Sequence, residues 1–317
     1  MQRLEVISKF LLASLASVLL FMSGISLPPL GVILLPFVPQ PVLMFGLKYG
    51  VAGGMAVLTV ATLALMIFAG EELGLLYGIF AIMTAMVLRL LGRVRAIDHL
   101  VAAVAAVMLA ATAGVSYYFF GSWAAMYGDF RQSMTRQLEA AVQMQEKLGF
   151  GQESVTLLKE RTGEIVDMIL QLLPALLLLS FAFIVLVNLL YLRRRFPERR
   201  AEWFALEHLR EWKSPEALVW GLILCGFALF VPALGTLRVI ALNFLAVIGA
   251  YYFAQGLAVI GFFFHKNNVP QFLRALTYVL IVFQQIFTLL VVGLGLFDLW
   301  GDFRRLGKDN AAPSQAA

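Results

Sequence analysis

The residues best suited to chemistry in this chain are neutral amides that interrupt long apolar segments. They are Asn188, Asn243, Gln255, Gln284 and Gln285. An amide buried among apolar groups needs a hydrogen-bond partner, because leaving water without a replacement partner is costly. Two interpretations are open: the amides bond neighbouring helices and hold the fold together, or several of them line a binding site.

Four of these amides fall in the last two long apolar segments, close to tyrosines. Tyr251 and Gln255 are four residues apart, which places them on one face of a helix. A patch of this kind can orient a small molecule through a few polar groups in an apolar cavity. The candidate solute-binding residues are therefore Asn243, Tyr251, Gln255, Gln284 and Gln285.

Residues for covalent, metal or acid–base chemistry show no recognisable arrangement. The only cysteine is Cys225, and the histidines are His99, His208 and His265. The histidines fall at predicted membrane edges or in a loop, so a His/Cys metal site is not expected. The sequence predicts no catalytic, cofactor-binding or metal-binding residues, no cofactor and no enzymatic activity.

Ionisable side chains are expected only near the ends of the apolar segments. Arg89 and Asp167 lie near such ends. Ion-coupled transporters usually carry buried ionisable groups along the ion path. The expected pattern therefore argues against a pump with its own ion coupling.

These residues are carried by segments long and apolar enough to cross a lipid bilayer. Hydrophobic residues make up 61% of the chain and charged residues 14%, and the mean hydropathy is +0.87. The predicted fold class is an all-α, polytopic transmembrane helical bundle of about nine spans (eight or nine), since a span needs roughly twenty apolar residues. The segments are 10–26, 30–47, 50–69, 73–91, 100–120, 166–192, 215–231, 238–264 and 272–299.

The second segment is the least regular of these. Pro36, Pro39 and Pro41 remove backbone donors, so its helix is expected to be kinked or partly broken. Whether residues 30–47 fully cross the bilayer is left open.

A polar stretch separates spans five and six. An apolar residue recurs at every fourth position from Phe130 to Val142, with charged residues between, which predicts a helical hairpin outside the bilayer. The predicted domains are an amino-terminal membrane bundle (1–120), an extracytoplasmic helical insertion (121–165), a carboxy-terminal membrane bundle (166–300) and a disordered tail (301–317).

Basic residues set the expected orientation, because Lys and Arg gather in cytoplasmic loops. The prediction is a multi-pass protein of the bacterial cytoplasmic (inner) membrane with a cytoplasmic N-terminus. Nine spans put the C-terminus outside, whereas Arg304, Arg305 and Lys308 favour the inside, so its side is left open. The net charge of +5 reflects the same bias, and without a nucleic-acid motif no nucleic-acid partner is expected.

Small residues recur at every fourth position in three places. They are Gly46, Gly50 and Gly54; Ala102, Ala106, Ala110 and Gly114; and Ala246, Ala250, Ala254 and Ala258. Within a bilayer, such stripes let helix backbones approach closely. The expected partners are the lipid bilayer and, as an alternative to packing within one bundle, a membrane protein on these faces.

Three stretches resemble the YybS-like family of predicted bacterial membrane proteins (DUF2232, a domain of unknown function). They are the tyrosine-rich run 251–266, the segment from Leu172-Leu173-Pro174 to Arg193-Arg194-Arg195, and Trp212-Lys213-Ser214-Pro215. The resemblance implies a membrane protein, and it carries over no catalytic residues because the family has no established activity.

The amino-terminal half is more distantly similar to the substrate-binding S components of energy-coupling-factor vitamin transporters. The similarity lies in the proline-rich second span, which runs into Gly46-Leu47-Lys48-Tyr49-Gly50. It implies a compact helical bundle that binds a vitamin from outside.

Two functions remain open at this point. One is a small-molecule binding or transport component without its own energy source. The alternative is a non-catalytic membrane scaffold or assembly factor of a cell-envelope complex, which would act through the hairpin and the basic loop at 193–213.

Overall fold

A computed structural model describes residues 2–94, 96–147, 152–198, 209–231 and 235–304. These residues are almost wholly helical, with no β-strand among them, which confirms the all-α prediction. The helices are α1 Gln2–Ser26, α2 Pro28–Leu34, α3 Gln40–Tyr49, α4 Val51–Ala69, α5 Glu71–Leu90, α6 Ile97–Phe120, α7 Trp123–Lys147, α8 Gln152–Arg195, α9 Leu218–Leu229, α10 Thr236–Lys266, α11 Gln271–Phe283 and α12 Gln285–Gly301.

The number of candidate membrane spans agrees with the lower predicted value, eight, and does not confirm nine. Seven helical segments are long and apolar enough to cross a bilayer, and the bent pair α11–α12 makes eight if it counts as one span. The predicted seventh span, 215–231, accounts for the difference from nine. Its helix α9 has 12 residues and rises about 18 Å, well short of a hydrocarbon core of about 30 Å.

The chain divides into two compact units, Met1–Ala205 and Leu206–Ala317. The division into separate domains at residues 120, 165 and 300 stays a prediction. One helix, α8, runs without interruption through the expected boundary at residue 165. Residues 148–151 of the predicted hairpin and residues 199–208 of the basic loop at 193–213 lie outside the described residues.

Apolar packing holds the start of the first unit together. Residues of α1, α4 and α5 enclose Val38 of the broken second span, and Phe21 of α1 meets Tyr77 of α5 edge to face with ring centroids 5.3 Å apart. A second cluster joins α1 to α3 and α4 through Val42, Phe45 and Val57. Large apolar side chains on the outer faces remain exposed, as expected where lipid replaces water.

The second span is broken, as the prolines predicted. Helix α2 ends at Leu34, a 3₁₀ turn covers Leu35–Phe37, and α3 begins at Gln40. Prolines supply no backbone donor, so the regular ladder of hydrogen bonds cannot pass through this region. The stretch Leu30–Tyr49 is nevertheless long and apolar enough to cross a bilayer.

The three glycines at 46, 50 and 54 do not lie on one helix face. Gly50 has a φ of +100° and forms the turn between α3 and α4, which glycine adopts without steric penalty. Gly46 and Gly54 then face each other, and a Cβ on Gly54 would lie 3.0 Å from the Cα of Gly46. The glycines therefore bring two antiparallel helices together at a tight turn.

The two alanine stripes differ in exposure. Ala102, Ala106 and Ala110 of α6 are exposed, whereas the stripe of α10 is half-buried except for the exposed Ala254. Contact between these faces and another membrane protein stays a prediction.

The tightest helix crossing in the second unit joins α10 to α12. A Cβ on Gly295 would collide with the carbonyl oxygen of Tyr252 and lie 2.7 Å from the amide nitrogen of Gly256. A Cβ on Gly256 would collide with the carbonyl oxygen of Val291. Only residues without a side chain allow these two backbones to touch.

We expect Gly295→Ala to destabilise the protein, because the new methyl group meets backbone atoms that cannot move aside. The loss should be about 1–3 kcal/mol, the usual range for overpacking. Gly293→Ala is the matched control, since a Cβ there meets nothing within 4 Å. Thermal unfolding in detergent measures both variants, and equal midpoints for the two would contradict the proposed close crossing.

Candidate functional site

Gln255 of α10 is fully buried and lies at the centre of a polar cluster in the second unit. Its carbonyl oxygen accepts hydrogen bonds from the backbone N–H of Ser214, at 3.1 Å, and from the Ser214 hydroxyl. Its amide nitrogen donates to Oδ2 of Asp298 at 3.0 Å. The side chain thus connects the segment before α9 to the end of α12.

A buried ion pair completes this cluster. Nη2 of Arg304 donates to Oδ2 of Asp298 at 2.7 Å, and neither side chain is exposed. Nη1 of Arg304 donates to the carbonyl oxygens of Arg210 and Trp212, at 2.6 and 3.0 Å. Since buried charges are tolerated only when paired and hydrogen-bonded, this arrangement fixes the chain after α12 against residues 210–214.

Neither member of this ion pair was predicted from the sequence to be a site residue. Asp298 lies near the end of the predicted ninth span, and Arg304 fell within the tail predicted to be disordered from residue 301. That prediction is wrong for 301–304, because Arg304 is 3% exposed. Residues 305–317 lie outside the described part of the chain. The sequence feature that could have revealed this ion pair was an acidic residue at the end of an apolar segment with a basic residue six positions later.

The five predicted solute-binding residues occupy different environments. Gln255 is bonded as described, and Tyr251 stacks at a tilt on Trp212 with ring centroids 6.1 Å apart. Asn243 donates to the carbonyl of Val239 one turn earlier on α10, at 2.9 Å. The remaining two, Gln284 and Gln285, are exposed at the junction of α11 and α12. Their joint role in binding a solute stays a prediction.

Helix α10 also carries a buried polar group that has no hydrogen-bond partner in the described part of the chain, the hydroxyl of Tyr252. The hydroxyl of Tyr252 is buried without a hydrogen bond, and the residue is fully covered. It lies three positions before Gln255 and hence on the same side of the helix. A buried hydroxyl in this state gains free energy from any ligand that can bond to it.

Asn188 of α8, in the first unit, serves as a link between helices. Its amide nitrogen donates to the carbonyls of Pro36, at 2.8 Å, and Ile184, at 2.7 Å. Gln40 in turn donates to the backbone carbonyl of Asn188 at 3.3 Å. At this position, therefore, the amide bonds neighbouring helices, which is the first of the two interpretations given for the amides.

Two further features bear on chemistry. Within the described ranges, no group of three or more His, Cys, Asp or Glu residues is placed to hold a metal ion. An open depression of about 630 Å³ lies in the first unit where α3, α4 and α5 meet, and Arg89 and Arg93 are among its lining residues.

The family of the chain follows from its comparison with known families. A family model described as "Predicted membrane protein (DUF2232)" matches residues 15–299. The chain belongs to this family. The match confirms the YybS-like resemblance, and the DUF2232 description agrees with the apolar helices in giving a multi-pass membrane protein. No curated protein and no solved structure matches the chain. The similarity to S components stays a prediction.

We expect Asp298→Asn to destabilise this DUF2232 protein strongly, because Arg304 would remain buried without a counter-charge. Removing one partner of a buried pair costs about 3–5 kcal/mol. Asp302→Asn is the control, since the Asp302–Lys213 pair is about one-third exposed and such pairs contribute roughly 1 kcal/mol or less. Thermal unfolding of the purified protein compares the variants. If Asp298→Asn were no worse than Asp302→Asn, the ion pair would not hold the cluster together.

Proposed function

We propose that the protein is a small-molecule binding or transport component of the bacterial cytoplasmic (inner) membrane, without catalytic activity or an energy source of its own. The observation that supports this most is the break between α11 and α12. The two helices together have the composition of one span, yet they bend by 104° where they meet. Gln284 at the bend is extended, with φ −112° and ψ 110°.

The surroundings of this break argue for a polar ligand. Gln284 and Gln285 are exposed, and so are Phe283 and Ile286, at 79% and 69%. Amides that point into hydrocarbon without a partner would be costly. Broken helices with uncovered polar groups form the solute sites of many transporters, where a solute or water supplies the missing hydrogen bonds.

The charges of the second unit support a component that depends on another subunit for energy. Asp298 and Arg304 neutralise each other and are fixed by further hydrogen bonds. A carboxylate held this way is poorly suited to carry protons across the membrane. The distant similarity to S components, which bind solute for a separate energising subunit, points in the same direction.

We expect Gln284→Leu to weaken solute binding by at least roughly tenfold, the usual penalty for an unpaired polar group on a ligand. Gln271→Leu is the control, because Gln271 is an exposed glutamine at the other end of α11. Purified protein would be screened against a metabolite panel by thermal shift, and binding would be measured at equilibrium. Equal affinity in the two variants would exclude this site, and the absence of both a panel ligand and a co-purified metabolite would contradict the function.

A topology with both termini in the cytoplasm is part of this proposal. If α9 does not cross and α11–α12 counts as one span, the protein has eight spans, and an even number returns the chain to its starting side. The C-terminal residues Arg304, Arg305 and Lys308 then lie on the side that basic residues favour.

We expect a reporter fused after Ala317 to behave as cytoplasmic, because eight crossings return the chain to the side of its N-terminus. A fluorescent protein should be bright there and a periplasmic phosphatase inactive, whereas the same reporters inserted after Lys147 should give the reverse result. A cytoplasmic signal from both sites, or a periplasmic one from the C-terminus, would rule out the eight-span arrangement.

A scaffold or assembly role is the second candidate, favoured by the hairpin of α7 and α8. Arg131 pairs with Asp167 through two hydrogen bonds of 2.7 and 3.2 Å, and Lys159 pairs with Glu146 at 2.8 Å. The hydrogen bond and the charge of Asp167 raise the pKa of Arg131. Most of α7 is exposed, which leaves it open to another protein. A co-purifying protein that is lost on deletion of residues 130–165 would favour this role.

A further inference from the structure

The depression in the first unit has the chemistry of an anion site. Arg89 and Arg93 both line it, and none of the lining residues in the described part of the chain is acidic. Both arginines are exposed, and neither has an ion-pair partner within the described ranges. Two unpaired guanidinium groups in one concave surface are suited to a phosphate, which they can bind through paired N–H donors.

Glycines give the depression its shape. A Cβ on Gly46 would lie 2.7 Å from the side chain of Leu88, so the missing side chain lets Leu88 pack closely there. Gly50, at the turn, has open space where a side chain would stand. The backbone turn itself therefore leaves room for a group to enter the depression that Arg89 and Arg93 line.

The backbone adds donors of its own at this place. Helix α4 begins at Val51, which lines the depression, and its cap residue Gly50 offers no side-chain acceptor to the first turn. The first N–H groups of a helix have no partner within it, and they favour an anion near the helix start. This contribution supplements the two arginines.

The position of the site at the ends of candidate spans favours a lipid as the source of the phosphate. Three candidate spans meet here: the end of Leu30–Tyr49, the start of Val51–Ala69 and the end of Glu71–Leu90. Arg89 lies in the last turn of its span, at the level where lipid headgroups begin. Basic pockets between membrane helices are known to take anionic headgroups.

We infer that the depression between α3, α4 and α5 binds the phosphate of an anionic phospholipid through Arg89 and Arg93. The lipid is held at the end of the first bundle, with its acyl chains along the exposed apolar faces of the same helices. The site is independent of the proposed solute site in the second unit.

The test is a lipid titration of delipidated full-length protein in a neutral detergent, followed by native mass spectrometry. Phosphatidylglycerol should bind at least roughly tenfold more tightly than phosphatidylcholine with the same acyl chains, because only the former carries net charge. Arg89→Gln/Arg93→Gln should abolish that difference. The matched control Arg194→Gln/Arg195→Gln removes two exposed arginines at the end of α8 and should keep it.

A third variant covers the case in which the double substitution misfolds. Val51→Phe fills the depression without changing any charge and should also lower the preference for phosphatidylglycerol. Glycerol 3-phosphate at millimolar concentration should not displace the lipid, since it lacks the acyl chains. Displacement by glycerol 3-phosphate would assign the site to a soluble phosphate and overturn the lipid proposal. An unchanged preference in both depression variants, or an equal loss in the control, would also overturn it.

Discussion

The structure of the first unit depends on satisfying two backbone carbonyls at the break in its second span. No water is present in hydrocarbon, so each carbonyl at a helix break needs a protein donor. The carbonyl of Pro36 receives the amide of Asn188, and the carbonyl of Val38 receives the hydroxyl of Ser17 at 2.7 Å. Ser17 also bonds Tyr77 at 2.8 Å. Three other helices, α1, α5 and α8, are thereby fixed around the broken span.

In the second unit, a buried ion pair takes part in the hydrogen bonds between buried polar groups. Asp298 and Arg304 are buried together, and Gln255 and two backbone carbonyls supply further hydrogen bonds, while Nε of Arg304 is buried without a hydrogen-bond partner among the described residues. This cluster can form only because α10 and α12 touch at Gly256 and Gly295. Close backbone approach and buried polar contacts are therefore two parts of one arrangement, since helices at a normal distance would not bring these side chains together.

The two breaks in the membrane differ in a way that separates structural from functional roles. At the break in the second span, side chains from other helices bond the carbonyls of Pro36 and Val38. At the break between α11 and α12, the hydroxyl of Thr288 bonds the carbonyl of Ile281, but Gln284 and Gln285 are exposed beside exposed apolar side chains. Polar groups that bond within the protein stabilise the fold, whereas exposed polar groups are available to a ligand. The solute proposal rests on this contrast.

The sequence by itself determined the membrane environment, the helical fold and the break at the prolines. These follow from local properties: apolar length, the lack of strand patterns and the missing proline donor. It also pointed to amides such as Asn188 as groups that need partners. It did not decide between eight and nine spans, because the apolar run at 215–231 has nearly the length of a span although its helix stops at Leu229.

Only the tertiary structure decided which partner each polar group takes. Gln255 and Gln284 look alike in the sequence, yet one is enclosed by Ser214 and Asp298 and the other is exposed at a bend. The meeting of Arg89 and Arg93 with the glycine turn at Gly50 was equally hidden, since about forty residues separate them in the chain. Hydrogen bonds and ion pairs act over a few ångströms in space, and distance along the chain does not reveal which groups the packing of helices will bring that close.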